Sequence, residues 1–373
     1  MNVCILNMRG NFDKTLGLGT QRTSYELWRN IKPIAEKEGI NVDRVELGFG
    51  SSPTARKISF TLMLYLRDFS KYDIVHLLIV VPKTPRAGRN TKILTTVNEF
   101  MLLDKNTATY RILSGTEPKR RATIRDRIYS SLGHLVGTGM SRQIFSSDYI
   151  SVNSTQTRHE AIRLGYPKDR IFIVPHGVDE RFLSKVKQKD HNGFRVGYIG
   201  SLTKRKNIQF AIGAFKNMGQ KDAELEIWGR PVLEYQNLVE LADGDKRIKF
   251  MGFAPEDRLV QIYDRFDAFV FPSLYEGFGL PIIEAQSRGL PVIIYKEGRI
   301  PEEVRRHCLE ARDESHMAQI LGSLYKNGYD NELQKKSTEY ARSFTRKKEA
   351  QDTLGVYKKI CGRDSADIRP APR

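Results

Sequence analysis

The sequence predicts an α/β protein built of two doubly wound, Rossmann-like domains, and three observations carry that prediction. Short apolar runs alternate with amphipathic stretches along the chain, the pattern of strands joined by helical crossovers in parallel sheets. The 373 residues exceed what one ordinary core accommodates. The strand-like runs also fall into two sets, parted by the polar stretch from Asp179 to Asn192 with its Lys185, Lys187 and Lys189.

In the first set, Val3–Asn7, Ile74–Val80, Lys92–Thr96, Tyr149–Val152 and Ile171–Val174 are rich in β-branched and aromatic residues and too short for helices. After the first of them comes Leu16-Gly-Leu-Gly-Thr20, where Gly17 and Gly19 give a phosphate-loop layout ahead of a helix. The third glycine of a dinucleotide fingerprint is missing. The second set is Arg195–Ile199, Glu224–Trp228, Ile248–Met251, Ala268–Phe271 and Pro291–Tyr295. Residues after about 340 form a basic helical pattern with apolar Phe344, Leu354, Tyr357 and Ile360, and the tail beyond Cys361, with Pro370 and Pro372, reads as disordered. The domain expectation is therefore 1–180 and 190–340, with a final helix at 340–362.

Composition narrows the function classes. The longest apolar run, Ile74 to Pro82, is far short of a membrane span. The N-terminus reads as a buried strand rather than a signal peptide, and Cys4, Cys308 and Cys361 are scattered without metal-ligand spacing. A cytoplasmic protein is expected, with peripheral contact to the inner membrane leaflet as an option. The net charge of +17 is uneven: residues 1–200 carry 32 Lys and Arg against 18 Asp and Glu, residues 201–373 carry 29 against 26. A basic front half suits a solvated surface, an anionic leaflet or an anionic acceptor. No recognition motif supports nucleic acid as a partner. The stretch Lys119 to Tyr129 carries five cations, and on a helix its Ile124 and Ile128 would share one face, either packed on the core or docked on anionic lipid.

The stretch that points to chemistry is Phe271-Pro-Ser-Leu-Tyr-Glu-Gly-Phe-Gly-Leu-Pro-Ile-Ile-Glu284. Glu276 and Glu284 bracket a Gly277-Phe278-Gly279 turn between an apolar strand end and a helix start. Unpaired amides and the positive end of a helix bind anions, and flanking carboxylates accept from hydroxyls. Phosphate with hydroxyls on either side describes a sugar nucleotide.

This stretch resembles the E-x7-E signature of retaining glycosyltransferase family 4, which has the GT-B fold. Four further segments resemble the family's pattern in its order: Ser147–Ser154, Ile173-Val-Pro-His-Gly-Val-Asp179 (against I-P-N-G-V-D), Gly197–Asn207 (against G-x-L-x-x-R-K-N) and Lys249–Phe253. The resemblance implies GT-B architecture, two Rossmann-like domains facing across a cleft, with the last helix returning to the N-terminal, acceptor-binding domain. It implies that the C-terminal domain binds the donor. Arg205 and Lys206 would hold the diphosphate, Glu276 the transferred sugar and Glu284 the ribose. The main chain of Gly277, Phe278, Gly279 and Leu280 would meet the sugar and β-phosphate, joined by the turns at Gly200 and Gly17/Gly19.

Two departures from the family pattern matter. Relatives often carry arginine directly after the glycine where this chain has Ser201, which leaves Arg205 and Lys206 as the main cations. Many also carry a sugar-contacting histidine in a T-x-H segment, where Thr96-Val97-Asn98 places Asn98, a group that hydrogen-bonds but carries no charge. His176 is a candidate cleft residue, and His76 is expected to be structural. Asp243-Gly-Asp245 reads as a turn rather than a metal motif. The expectation is a metal-independent, cofactor-free retaining hexosyltransferase that moves sugar from a UDP- or GDP-linked donor to a glycan, lipid-linked or other hydroxyl acceptor. Its rivals are a GT-B-like sugar-nucleotide epimerase or phosphorylase, or a non-catalytic basic membrane- or nucleic-acid-binding protein on this fold.

Overall fold

The structure, a computed structural model, describes residues 1–8, 19–49, 53–80, 84–100, 142–186, 192–230 and 235–362, without the side chains of residues 8, 19–23 and 53–58. Gly17, the basic stretch Lys119–Tyr129, Lys187, Lys189 and the tail beyond residue 362 lie outside the described residues.

The chain divides into two compact units, Met1–Gly177 with Arg346–Arg373, and Val178–Thr345. The first unit contains β1 (Asn2–Met8), α1 (Gly19–Lys37), β2 (Asn41–Leu47), α2 (Pro53–Leu66), β3 (Ile74–Leu77), β4 (Lys92–Val97), β5 (Tyr149–Val152), α3 (Thr155–Arg163) and β6 (Ile171–Ile173). Its strands form a parallel sheet in the order β2-β1-β3-β4-β5-β6. The central strands are apolar and buried on both faces, as a sheet covered by helices requires (Ile74, Val75, Leu94 and Ile150 are fully buried).

The second unit contains β7 (Phe194–Ile199), α4 (Ile208–Met218), β8 (Ala223–Trp228), α5 (Tyr235–Ala242), β9 (Ile248–Gly252), α6 (Leu259–Asp264), β10 (Ala268–Phe271), α7 (Leu280–Ser287), β11 (Val292–Tyr295), α8 (Glu302–Arg305), β12 (Leu309–Ala311), α9 (Glu314–Asn327) and α10 (Asn331–Arg342). Its parallel sheet runs β12-β11-β10-β7-β8-β9. From β7 the chain steps outward to β8 and β9, then returns to the other side of β7 as β10. Open α/β sheets bind ligands where the strand order reverses in this way, at the carboxyl ends of the strands. Gly197 makes the β7 packing possible, because a Cβ there would lie 2.2 Å from the Phe266 ring.

The chain then returns to the first unit as α11 (Arg346–Ile360), whose Ala350, Leu354 and Tyr357 pack in a core cluster with Leu27 and Ile31 of α1. Where the chain enters and leaves the second unit, the two crossings run side by side: Val178 bridges Thr345, and its N–H donates to the Phe344 carbonyl at 2.8 Å. At the start of α11 the buried Arg346 donates through Nη1 to Glu349 Oε2 at 2.7 Å. Burial pushes the Glu349 carboxyl up, but the Arg346 charge and a hydrogen bond from His176 outweigh it and hold it at about 2. A carboxylate depressed in the folded state adds stability that is complete above its unfolded value, near 4.5, and is lost as pH falls toward about 2. Melting temperature followed by circular dichroism from pH 5 down to pH 2 should therefore drop steeply. Glu349→Gln should flatten that slope and, by leaving Arg346 buried without its carboxylate, cost about 3 kcal/mol at pH 7.

Candidate functional site

Two loops diverge at the β7/β10 reversal, and each is fixed by its backbone. After β7, the Gly200 N–H donates to the Trp228 carbonyl at 2.9 Å, and the Tyr198 hydroxyl donates to the Ser201 carbonyl at 2.9 Å. A Cβ at Gly200 would sit 2.6 Å from that hydroxyl, so the turn needs glycine. A 3-10 turn, Lys204–Lys206, follows and is closed by Asn207 in the left-handed region (φ 53°), which leads into α4. After β10, Glu276 N–H donates to the Arg299 carbonyl and Arg299 N–H to the Leu274 carbonyl, both at 2.9 Å. Leu274 N–H also donates to the Arg205 carbonyl at 2.9 Å, which ties the two loops together. Gly279, at φ +103°, turns the chain into α7, a conformation that a side chain would strain. Pro281 sits in the first turn of that helix, where its missing N–H costs nothing.

This backbone gathers the three residues assigned to catalysis. Lys206 Nζ donates to Glu276 Oε1 at 2.5 Å and lies 4.8 Å above the Phe271 ring. Arg205 Nη1 donates to the Tyr275 carbonyl at 2.8 Å and to Glu276 Oε2 at 3.3 Å. Lys206 and Glu276 are buried, at 7% and 6% exposure, so this is a desolvated ion cluster rather than a solvated basic loop. Burial pushes the Glu276 carboxyl up, yet Lys206 and Arg205 outweigh it and hold it below the ordinary carboxylate value. Glu276 accepts hydrogen bonds from both cations. Two cations thus contact the same carboxylate.

Glu284 lies on α7, a helix whose residues Ile282 to Ser287 are all buried, and its Oε2 accepts from the Tyr263 hydroxyl at 2.9 Å. Phe278 is a core residue: its ring packs edge-on to Phe344 with centroids 6.1 Å apart, which leaves its main chain for any ligand contact. Gly277, Gly279 and Leu280 lie on the same turn. The structure adds groups to which sequence analysis assigns no role. Tyr263, on α6, orients Glu284. Beside the carboxyl ends of β8 and β9 lies a cavity of about 250 Å³ lined by Trp228, Phe253, Pro255, Ile262 and Arg265. Phe253 is 40% exposed, and the Arg230 guanidinium lies 4.3 Å from its ring. Phe253 closes the Lys249–Phe253 segment, but that segment reads as a strand and gives no sign of this cavity.

Residues 179–344 match the family model for glycosyl transferases group 1. Among curated relatives, the chain is 29% identical over 235 residues to the O-antigen chain mannosyltransferase B of Escherichia coli, covering 57% of this chain and 61% of that protein. It is 30% identical over 161 residues to the amylovoran biosynthesis glycosyltransferase AmsK of Erwinia amylovora, covering 40% of each. The match thus spans less than two thirds of the length of either relative. Solved structures align over nearly the whole chain: sucrose-phosphate synthase of Thermosynechococcus elongatus at TM-score 0.69 and 17% identity, covering 98% of this chain and all of that one, and Anabaena Alr3699/HepE in complex with UDP and glucose at TM-score 0.61 and 15% identity, covering 96% and 100%. At such identities the likeness establishes the fold, which is GT-B with two Rossmann-like domains.

The remaining expected site residues fall elsewhere. Gly19 opens α1 and Asn98 follows β4, both in the first unit, while Gly17 lies outside the described residues. Asp243 and Asp245 flank a turn, as Asp243 (φ 52°) and Gly244 (φ 67°) are both left-handed. Asp245 is clasped by Arg247 at 2.6 and 3.0 Å. Among the described residues no group of three or more His, Cys, Asp or Glu could hold a metal ion. The buried pair makes a stability prediction: Lys206→Met removes the nearer cation from a buried carboxylate and should lower unfolding free energy by about 3 kcal/mol in urea titrations. A change below about 0.5 kcal/mol would mean that the pair is no more than a surface ion pair.

Proposed function

We propose that this chain is a retaining glycosyltransferase that moves a hexose-type sugar from a UDP- or GDP-linked donor to a hydroxyl of a glycan, glycolipid or related acceptor, without a metal ion. The observation that carries this reading is the Arg205–Lys206–Glu276 cluster at the strand-order reversal, beside a glycine-led helix start. Cleaving a glycosyl–phosphate bond concentrates negative charge on the departing diphosphate, and fixed cations lower that barrier because they need no reorganisation. A diphosphate oxygen entering the cluster competes with Glu276 for Arg205 and Lys206. The displaced carboxylate is then available to the hydroxyls of the transferred sugar. Glu284, held at one oxygen by Tyr263, accepts from the ribose hydroxyls, and the main chain from Gly277 to Leu280 meets the phosphate and sugar. The cavity pairs Trp228, Phe253 and Ile262 with the polar Arg258, Gln261 and Arg265, a lining that suits stacking on and hydrogen bonding to a nucleobase. Retention follows from attack on the face the phosphate leaves, with the phosphate taking the acceptor proton. The name of the E. coli protein, a mannosyltransferase, supports a hexose, and that of the Anabaena protein, in complex with UDP and glucose, supports the UDP option.

A thermal-shift panel of nucleoside diphosphates tests the binding half, since a ligand that binds the folded state raises its melting temperature. UDP or GDP should raise it, and silence across the whole panel would overturn the reading. For the nucleotide that responds, Arg205→Ala should lower kcat/KM by about 10²–10³-fold. Glu276→Gln should lower kcat without weakening nucleoside diphosphate affinity, because it frees both cations from their competitor. Glu284→Gln should instead weaken that affinity. Activity should persist in excess EDTA.

A further part of the proposal concerns an anionic membrane surface as a partner. Among the described residues no helix is long and apolar enough to cross a membrane. One face of α2 exposes Leu62, Tyr65 and Leu66, with Phe49 also exposed and Arg67 and Lys71 following in sequence. Apolar side chains beside cations suit the boundary of an anionic leaflet, where each cation contributes about 1 kcal/mol. The chain should co-sediment with phosphatidylglycerol vesicles and not with phosphatidylcholine vesicles. Added salt should reduce the pelleting, and Leu62→Gln/Leu66→Gln should reduce it severalfold. Equal pelleting with both lipids would remove the electrostatic argument.

A further inference from the structure

The cavity of about 250 Å³ beside the carboxyl ends of β8 and β9 has two walls held by one buried group. Trp228 ends β8, Arg265 caps α6, and both border the cavity. Each is tied to Glu226, which is 1% exposed. Glu226 Oε2 accepts from the Trp228 indole N–H at 3.1 Å, and Oε1 accepts from Arg265 Nη2 at 2.8 Å. Alternation along β8 puts Glu226 and Trp228 on one face of the sheet, while Leu225 and Ile227 enter the core on the other. A buried carboxylate requires hydrogen-bond partners, and Glu226 draws one from each wall.

That anchorage fixes what the cavity offers a ligand. The indole is pinned at its N–H, so its face is a ready surface for a flat ring. A guanidinium carries five N–H donors in a planar fork, so a bond to Glu226 orients Arg265 and leaves an edge for a ligand. Arg258 borders the same space. Both arginines are donors only, so the ligand must bring acceptors. An arginine edge is matched by two adjacent acceptors in one plane, and guanine has them at N7 and O6. Adenine pairs its N7 with an amino donor, and the two carbonyls of uracil are parted by an N–H. Cytosine has two adjacent acceptors, but its single ring covers less of the indole face and leaves more of the cavity empty.

We propose that the base of the donor is guanine, stacked on Trp228 with its N7 and O6 accepting from Arg265, and that Glu226 is the positioning residue for both. The inference rests on the assignment of this cavity to the nucleobase and narrows the donor to a GDP-linked sugar. Glu226 touches no ligand in this arrangement and acts through the two side chains it holds.

Calorimetric titration of the full chain with GDP, UDP, CDP, ADP, IDP and 7-deaza-GDP tests this. GDP should bind about tenfold more tightly than UDP, CDP or ADP, the scale of one bidentate base contact. IDP keeps both O6 and N7 and should stay within about threefold of GDP. The 7-deaza analogue has the same shape without the N7 acceptor and should bind about tenfold more weakly. Arg265→Met should make GDP and 7-deaza-GDP bind alike, and Glu226→Gln should narrow the gap between them. A merely structural loss would weaken both nucleotides together and keep their ratio. UDP, CDP or ADP as tight as GDP, 7-deaza-GDP as tight as GDP, or an undiminished gap in Arg265→Met would overturn the inference and leave the transferase reading standing. Silence from every nucleotide would overturn both.

Discussion

The candidate site depends on one interaction, the buried contact between Lys206 and Glu276. Taking either charge out of water alone would cost several kcal/mol, so each is tolerable only in the presence of the other. Their partnership forces the loop after β7 and the loop after β10 together, and the Leu274–Arg205 backbone hydrogen bond follows that approach. Arg205 then joins as a second cation on the same carboxylate, next to a helix start whose own field is positive. The site is thus organised around charge by its own side chains.

The first unit uses the same device to a different end. Glu349 is another buried carboxylate kept ionised, but its partners are Arg346, a backbone amide and an imidazole. Arg346 offsets its charge. The arrangement also sets a direction, because an ionised Glu349 takes the Nδ1 hydrogen of His176 and so orients the ring.

The fold class was legible because the central strands of a parallel sheet are buried on both faces, and so read as unbroken apolar runs such as Ala268–Phe271. The strands the sequence did not reveal are both sheet edges. β2 alternates buried positions with Asp43, Arg44 and Glu46, which hides it among charged helical patterns, and β12 is three residues long with Glu310 at its centre. In the site, Glu276, Arg205 and Lys206 could be picked out because local turns and spacing mark them. Tyr263 and the Trp228–Phe253 cavity could not, since they come from elements whose patterns report core packing. Asn98 and His176 were singled out one by one, but their contact with each other and with Glu349 was not, because it joins residues 78 and 173 positions apart and no local pattern encodes it.

The side-by-side crossings at Val178 and Thr345 have a consequence for how such a chain is assembled and inherited. Because the entry and exit strands are hydrogen-bonded neighbours, the second unit is topologically an insertion whose two ends meet. A segment with adjoining ends can be lifted out or exchanged through two cuts without stretching the host, which is why inserted domains favour such geometry. The second unit is thus a segment that could be exchanged at this paired seam without stretching the host chain or opening either core.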